Sequence, residues 1–330
     1  MLFSVIVLSA SEKFDKHAQF EPHSASYGPR RVINVAETAN FEHKDARNAF
    51  ESVFESRSLN DDFENIEASS EITLFGYHMK IGVPRAIELL KSEGLQTRVV
   101  GGSQVASASV IPHQAGIVAR LTTGWQSVCG GSLISNTKVL TAGHCWWDGQ
   151  NQANLFTIVL GSTTIFSGGT RIDTTAVTVH PNWNTIDITN DIAMVTITNN
   201  IQAIPLPTLT DVNLDFAGMT GTVSGFGKTS DAQTGTTTNL HQVSVNIVMN
   251  SVCQTSFQTV TLHGSHMCTS GTGNVGSCDG DSGGPLTTVY NNNRILVGVV
   301  SFGLSEGCQF GNPSVYTRVT AFLNWINSNI

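Results

Sequence analysis

Charged side chains are scarce over most of this chain, and they are unevenly distributed. Residues 99–330 hold 10 acidic and 6 basic side chains, whereas the shorter segment 1–98 holds 15 and 11. The net charge of −8 is mildly acidic and gives no indication of a nucleic-acid partner. The change in composition predicts a boundary near residue 98.

Long apolar runs are missing as well. No stretch approaches the roughly 20 apolar residues of a membrane span, so no membrane partner is expected. Residues 2–8 are largely apolar and are followed by Ser9 and Ala10, which is typical of the core of a secretory signal. The run is short and lacks a basic start, so residues 1–10 are interpreted either as a signal peptide or as an incomplete leader. The sequence also lacks an Asn-x-Ser/Thr sequon, and N-glycosylation is not expected.

Cysteine is absent from residues 1–98, and all six cysteines follow that segment. An even number in one segment predicts disulfides and an oxidising, extracellular compartment. The spacing alone does not fix the pairing. A zinc site is the alternative, and the lack of a Cys-x-x-Cys pair disfavours it. The cysteines are Cys129, Cys145, Cys253, Cys268, Cys278 and Cys308.

Residues 1–98, here called the leader, show little sustained hydrophobic periodicity. Pro84–Gly94 is the exception, and it predicts a short helix that begins at the proline and ends at the glycine. The rest of residues 11–98 is expected to be weakly ordered.

From Val99 onward, short apolar runs alternate with Gly, Asn, Asp, Ser and Pro, which predicts an all-β sandwich or barrel. Pro205–Asp215 is predicted to link two β halves, and Ala321–Ile330 has helical spacing and predicts a packed terminal helix. The predicted strands are Phe156–Leu160, Ala176–Val179, Ile192–Ile197, Gly221–Phe226, Gln242–Val248, Ile295–Ser301 and Val315–Val319.

Three motifs far apart in sequence carry residues suited to nucleophilic catalysis. A serine flanked by glycines is accessible to a substrate. A distant histidine can act as its base, and an aspartate can orient that histidine and stabilise the imidazolium. The motifs are Thr141–Cys145 around His144, Asn190–Ala193 around Asp191, and Gly280–Pro285 around Ser282.

Each of these residues alone has an ordinary structural interpretation, as a surface histidine, a turn aspartate or a loop serine. Together, in this order, they predict attack of Ser282 on a carbonyl, with the backbone N–H groups of Gly280 and Ser282 binding the oxyanion. His144 and Asp191 fall in the first β half and Ser282 in the second, so the site is expected in the cleft between them.

These motifs, with Val99–Gly102 and Cys129–Leu133, resemble the chymotrypsin/trypsin family of serine proteases over residues 99–330. Within that family the chain is similar to insect digestive chymotrypsins and to collagenase-like (brachyurin) enzymes. The resemblance implies two antiparallel Greek-key β-barrels with a C-terminal α-helix. It also implies a hydrogen bond from Ser301 to Asp191 and the pairs Cys129–Cys145, Cys253–Cys268 and Cys278–Cys308.

The resemblance further implies activation by cleavage after Arg98, which frees the ammonium of Val99 to pair with Asp281. Residues 11–98 are then a propeptide and residues 99–330 the protease domain. Because the leader has no cysteine, no disulfide can hold it in place after the cut.

The family alignment places the base of the specificity pocket at Gly276. Without a carboxylate there, a buried cation would be unpaired, so cleavage after large apolar residues is predicted. Asp279 and Glu306 leave open an alternative in which a basic residue is tolerated at the rim; otherwise both are solvated rim charges. The predicted pocket residues are Gly276, Ser277, Asp279, Ser301, Phe302, Gly303, Gly307 and Ser314.

No cofactor or metal is expected, and the absence of acidic residues from 155–170 argues against a calcium loop. The expected partners are protein or peptide substrates, an activating trypsin-like protease and protease inhibitors, with the chain itself a monomer. The leading interpretation is a secreted digestive zymogen, with the gut lumen as a candidate location. The alternatives are a regulatory protease of a secreted cascade and a catalytically silent binding protein with a protease fold.

Overall fold

The computed structural model describes residues 74–95, 103–198, 202–208, 211–231 and 239–330. These residues belong to one compact unit, Ala68–Ile330. The expectations for residues 1–73, including the signal peptide, lie outside the described residues. Within the described ranges, no helix combines the length and apolar character needed to cross a membrane.

Fourteen strands, numbered in chain order, are the main regular elements of the described residues. They are β1 (Ser103–Gln104), β2 (Gln114–Leu121), β3 (Gln126–Ser135), β4 (Lys138–Thr141), β5 (Ala153–Leu160), β6 (Thr170–Thr174), β7 (Val177–Val179), β8 (Ala193–Thr196), β9 (Thr220–Gly225), β10 (His241–Val248), β11 (His266–Ser270), β12 (Pro285–Tyr290), β13 (Asn293–Phe302) and β14 (Ser314–Arg318).

The strands form two antiparallel seven-stranded sheets. The first has the order β6-β5-β2-β3-β4-β8-β7, and the second has the order β1-β10-β11-β14-β13-β12-β9. In the second sheet β9 pairs with both β12 and β10, which closes the sheet into a barrel. The chain passes from the first sheet to the second between β8 and β9, through the predicted linker Pro205–Asp215. The predicted all-β fold with two antiparallel halves is confirmed.

Strands β2 and β3 are buried along almost their whole length, as expected when both faces of a sheet are covered. One face lies inside the first barrel. On the other, Val118 and Val128 join a buried cluster that also contains Phe226 and Leu240 of the second half and Leu89 of the leader. The leader therefore packs where the two halves meet.

Within the described ranges, three α-helices accompany the strands: α1 (Val83–Leu95), α2 (Asn250–Cys253) and α3 (Leu323–Asn327). Helix α1 confirms the helix predicted at Pro84–Gly94, and a π-helical turn, His78–Gly82, precedes it. The terminal helix is shorter than predicted, because a 3-10 turn at Val319–Phe322 precedes α3.

Every cysteine is in a disulfide, and the pairs are those that the family resemblance implied. One pair lies in the first half and two lie in the second, so none links the halves. The pairs are Cys129–Cys145, Cys253–Cys268 and Cys278–Cys308.

Candidate active site

His144 and Asp191 are brought together by the first barrel. His144 lies in a 3-10 turn after β4, and Asp191 lies two residues before β8, the strand that pairs with β4. The ring Nδ1 of His144 is 2.8 Å from Oδ2 of Asp191, and the backbone N–H of His144 donates to Oδ1, also at 2.8 Å. The carboxylate therefore fixes both the ring and the main chain of the histidine.

The second barrel completes the surroundings of Asp191. The hydroxyl of Ser301 donates to Oδ2 at 2.6 Å, as the resemblance implied, and that of Thr317 donates to the backbone carbonyl of Asp191 at 2.6 Å. Burial would raise the pKa of Asp191, but the charge of His144 and hydrogen bonds from His144 and Ser301 outweigh burial and lower it. The residue is thus held as a carboxylate.

Ser282 reaches this site from the second barrel because glycines allow the two barrels to approach closely. A Cβ on Gly130 would lie 2.8 Å from Cα of Gly284, and the N–H of Gly130 donates to the carbonyl of Ser282 at 2.7 Å. Gly283 has φ of +80°, and a Cβ there would lie 2.3 Å from the hydroxyl of Thr141. The glycines on both sides of this contact are required by its geometry.

A side chain of the leader occupies the position beside the histidine and the serine. The ring of Tyr77 packs edge-on against His144 with centroids 4.8 Å apart, and its hydroxyl donates to the carbonyl of Val128 at 2.8 Å. Burial raises the pKa of Tyr77, and a hydrogen bond with the side chain of Ser282 opposes this shift. Among the described residues, no group hydrogen-bonds to the buried Nε2 of His144. The base and the serine are therefore close to the same phenol but are not bonded to each other.

Asp281, the predicted partner of a new N-terminus, is buried beside Ser282. Its Oδ1 accepts the N–H of Gly227 at 2.8 Å, and its Oδ2 accepts that of Cys278 at 2.9 Å. Burial raises the pKa of Asp281 to about 6, although both hydrogen bonds and the charge of Arg85 act in the other direction. Val99 lies outside the described residues.

Arg85 of α1 covers the loop that precedes Ser282. Its side chain is 1% exposed, and its Nη2 donates to the carbonyls of Phe226 at 2.8 Å and Gly227 at 3.1 Å. A Cβ on Gly280, which has φ of +97°, would lie 2.9 Å from Cγ of Arg85. The leader thus contacts the predicted oxyanion loop directly.

The predicted specificity residues line a cavity next to Ser282, with one exception. Gly276 instead lines a neighbouring cavity, although a Cβ on it would point at the hydroxyl of Ser314, 2.8 Å away. Tyr77 and Ile81 of the leader line the same cavity as Ser282. The predicted residues in its lining are Ser277, Asp279, Ser301, Phe302, Gly303, Gly307 and Ser314.

The acidic side chains near this cavity are already engaged. Asp279 forms an ion pair with Lys228 at 3.0 Å. Glu306 is exposed and accepts a hydrogen bond from Asn312 at 3.3 Å.

Two groups of potential metal ligands occur among the described residues, and each includes a disulfide. His144 lies between Cys129 and Cys145, and Asp231 lies beside Cys278 and Cys308. A disulfide sulfur offers no thiolate, so these groups lack the donors of a zinc site.

Comparison with known proteins gives the same assignment as the site. The protein family described as Trypsin matches residues 99–326. This chain belongs to the trypsin family. The protease is 40% identical over 239 residues to brachyurin of Leptuca pugilator, covering 70% of this chain and 97% of that protein. It is 34% identical over 241 residues to chymotrypsin of Phaedon cochleariae, covering 70% and 82%.

A solved structure of HL collagenase has the same fold as the protease. It superimposes with a TM-score of 0.63 at 32% identity, covering 70% of this chain and 98% of the other. These matches identify the protease as a serine endopeptidase. The family match begins at Val99, so it does not include the leader residues seen in the site.

The place of these leader residues in the site was not predicted from the sequence. The prediction of a helix at Pro84–Gly94 was correct, but nothing in that pattern indicates what the helix packs against. The one available signal was the run Leu74-Phe75-Gly76-Tyr77, which is apolar and aromatic and lies a few residues before the helix.

Proposed function

We propose that the protease is made as a secreted precursor, is cut after Arg98, and cleaves peptide bonds with Ser282, His144 and Asp191. The contact that carries the proposal is the pairing of a buried His144 with a buried Asp191, beside a serine presented by the opposite barrel. This arrangement supplies a base, an orienting anion and a nucleophile at one point.

In the proposed mechanism, Nε2 of His144 takes the proton of Ser282 as the oxygen attacks the substrate carbonyl. Asp191 stabilises the imidazolium that forms, and its hydrogen bond to Nδ1 keeps Nε2 directed at the serine. The N–H groups of Gly280 and Ser282 bind the oxyanion, while those of the intervening Asp281 and the following Gly283 donate to carbonyls within the second barrel. Collapse of the intermediate expels the amine, which takes the proton from His144, and water then hydrolyses the acyl-enzyme.

We propose a preference for large apolar residues before the scissile bond. Uncharged side chains form much of the cavity wall, including Ser277 and Ser314. Burial raises the pKa of the neighbouring phenol of Tyr316, and both serines act against that rise. A Cβ on Gly303 would meet no atom within 4 Å, so the wall there is open. A bound Arg or Lys would be buried without a counter-charge at a cost of several kcal/mol.

The precursor and its location belong to the same proposal. Three disulfides are typical of a protein that folds in an oxidising compartment. Among the described residues the buried Asp281 forms no ion pair, although the charge of Arg85 acts on it. The ammonium of Val99 would supply an ion-pair partner after cleavage.

A digestive role in the gut lumen agrees with a low-charge surface and relatives of the chymotrypsin type. Protein substrates, an activating trypsin-like protease and protease inhibitors are the partners proposed for a monomeric enzyme. Because two relatives are called brachyurin and collagenase, collagen is a candidate substrate.

Labelling by a fluorophosphonate probe tests the proposed mechanism. The purified chain, cut after Arg98 and freed of its leader, is expected to label at Ser282 and to hydrolyse peptides after Phe or Leu at least ~10-fold faster than after Arg. Ser282→Ala should abolish both, and Arg98→Gln, which stays uncut, should remain nearly inert. Full activity of uncut Arg98→Gln would refute the precursor, and a preference for Arg would refute the pocket assignment.

A further inference from the structure

The leader residues 74–95, here called the leader segment, run across the proposed active site and on to the first barrel. Leu74 is buried in a cluster with Phe302 and Ile188, Tyr77 covers His144 and Ser282, and Arg85 covers Gly280. A substrate needs this same space. The leader segment and a peptide substrate therefore cannot occupy the site together.

We propose that the leader segment is a non-covalent inhibitor of the matured protease, which stays bound after cleavage at Arg98 and must leave before substrate enters. The cut at Arg98 is then necessary but not sufficient for activity. This inference rests on the proposed function, because it assigns a regulator to that same site.

All of the docking contacts lie upstream of the cut. The backbone N–H of His78 donates to Oδ2 of Asp148 at 2.8 Å, and its ring Nδ1 is 2.8 Å from the hydroxyl of Ser127. Asp148 also accepts the N–H of Asn151 at 2.6 Å, so it is held in place from the protease side. Cleavage at Arg98 leaves each of these bonds intact.

Helix α1 contributes the apolar part of the contact. Val83, Ala86 and Leu89 are buried, and the last two pack into the cluster between the barrels. Burial of apolar side chains is the main source of affinity in such an interface. A short helix of this kind is marginal alone in water, so the segment gains its order from docking.

Glu93 closes the far end of the contact. Its Oε1 accepts the backbone N–H groups of Ile165 at 2.9 Å and Phe166 at 3.0 Å, and its Oε2 accepts the hydroxyl of Ser167 at 2.7 Å. Three donors on one carboxylate make a specific, charge-assisted anchor. The leader segment is thus held at both ends and along its middle.

Tyr77 lies beside both the base and the nucleophile. Its ring packs edge-on against His144, and it lines the same cavity as Ser282. Its hydroxyl donates to the carbonyl of Val128 at 2.8 Å, which holds the ring in that position. The segment therefore blocks the cleft beside the proposed nucleophile and its base.

A precursor with a controlled cleavage site tests the proposal. Inserting Asp-Asp-Asp-Asp-Lys between Arg98 and Val99 lets enteropeptidase free the Val99 terminus, and electrophoresis of the products verifies that the rest of the leader stays whole. We expect the cut chain to co-elute with its leader in size-exclusion chromatography and to react with a fluorophosphonate probe at least 10-fold more slowly than the Tyr77→Ala variant cut in the same way.

A synthetic peptide of residues 74–95 provides the second measurement. It should inhibit the cut Tyr77→Ala enzyme, with inhibition relieved by excess substrate. Tyr77→Ala in the peptide should weaken inhibition at least 10-fold, whereas Lys91→Ala, at an exposed position on the same helix, should leave it unchanged.

The outcomes separate the two proposals. Equal probe reactivity of the cut wild-type and Tyr77→Ala chains, or no inhibition by the peptide at 100 μM, would overturn the inhibitor. If cut chains remain unlabelled even after the leader has been removed by chromatography, the proposed function itself fails.

Discussion

Asp191 receives hydrogen bonds from both barrels, through His144 on one side and Ser301 on the other. Replacing it by Asn keeps the shape but removes the anion and presents an amide where the ring of His144 needs an acceptor. In the matured enzyme, Asp191→Asn is expected to lower kcat by roughly 10⁴-fold, as the same change does at the triad aspartate of this protease family. Peptide hydrolysis at saturating substrate measures it.

Asp187 provides the matched control, because it is an exposed aspartate in the same loop. Asp187→Asn should leave kcat within about twofold of the wild type, as is usual for surface changes. A loss from Asp187→Asn comparable with that from Asp191→Asn would mean that the loop, rather than the carboxylate at 191, is responsible.

His78 makes the binding of the leader segment dependent on pH. Burial lowers the pKa of His78 to about 4, with the charge of His144 acting in the same direction, and the nearby Asp148 and a backbone hydrogen bond at Cys145 only partly oppose it. The other groups that face the ring are Tyr77 and Ser127. In the free leader the pKa returns to about 6.5, so the free form binds the proton more readily than the docked form.

Docking is therefore strongest above pH 6.5 and weakens as the pH falls from 6.5 towards 4. Between pH 7 and pH 4 the dissociation constant of a labelled 74–95 peptide should rise by on the order of 100-fold, measured by fluorescence anisotropy. The Lys91→Ala peptide should keep this dependence, and a His78→Gln peptide should lose most of it. An unchanged pH profile in the His78→Gln peptide would assign the effect to another group.

Strands β13 and β14 form two walls of the specificity cavity, and Ser314 at the start of β14 is the position best placed to change its charge. Ser314→Asp adds a carboxylate next to Ser277 and the phenol of Tyr316, which can donate to it. The ratio of kcat/KM for Arg over Phe substrates is expected to rise by at least ~10-fold, because a bound cation gains a partner.

The isosteric change Ser314→Asn supplies the same volume without charge. It should leave the ratio of Arg to Phe hydrolysis close to that of the parent enzyme. If Asn and Asp shift the ratio equally, cavity shape rather than charge determines the preference.

Sequence analysis located the elements with a clean local pattern. Helix α1 and strands such as β10 and β13 were predicted because their periodicity and flanking turn residues are visible in single segments. Strands β2, β3 and β12 were not among the predicted strands. Their burial on both faces removes the alternation of apolar and polar residues that marks a half-exposed strand.

The pairing of His144 with Asp191 was expected from the order of the three motifs, and the hydrogen bond of Ser301 to Asp191 was implied by the family resemblance. The place of Tyr77 and Arg85 in the site was not. It depends on where α1 packs on the finished barrels, and no spacing rule within residues 1–98 contains that information. The sequence therefore predicted the catalytic residues of the site, but it did not predict that Tyr77 and Arg85 of the leader lie in it.

At the scale of the whole molecule, Asp281 links folding of the uncut chain to pH. Its pKa is raised by burial to about 6, above the unfolded value of about 3.9. The unfolded chain therefore ionises first as the pH rises, and the uncut protein loses stability between about pH 4 and pH 6. Asp281→Asn removes this loss, so the Tm of the variant relative to that of the wild type should increase by several °C between pH 4 and pH 7.

In the uncut chain, Asp281→Asn is expected to favour the folded state at neutral pH. After the cut it should be harmful, because the Val99 ammonium loses its proposed counter-ion, and the matured variant should be nearly inactive. Asp187→Asn, at an exposed position in the first half of the protease, should leave the pH dependence of Tm unchanged. A Tm difference for Asp281→Asn that is constant from pH 4 to pH 7 would contradict the assignment.

The three disulfides each close a loop within one barrel. Apart from the backbone that leaves β1, which pairs with β10 of the second sheet, the backbone between β8 and β9 is the covalent connection from one barrel to the other. A single nick in that connection would turn one polypeptide into two separately cross-linked fragments, held together by the contact at Gly130 and Gly284 and by the pairing of β1 with β10. Reassembly after denaturation would then become a second-order process, and the recovered activity would depend on protein concentration.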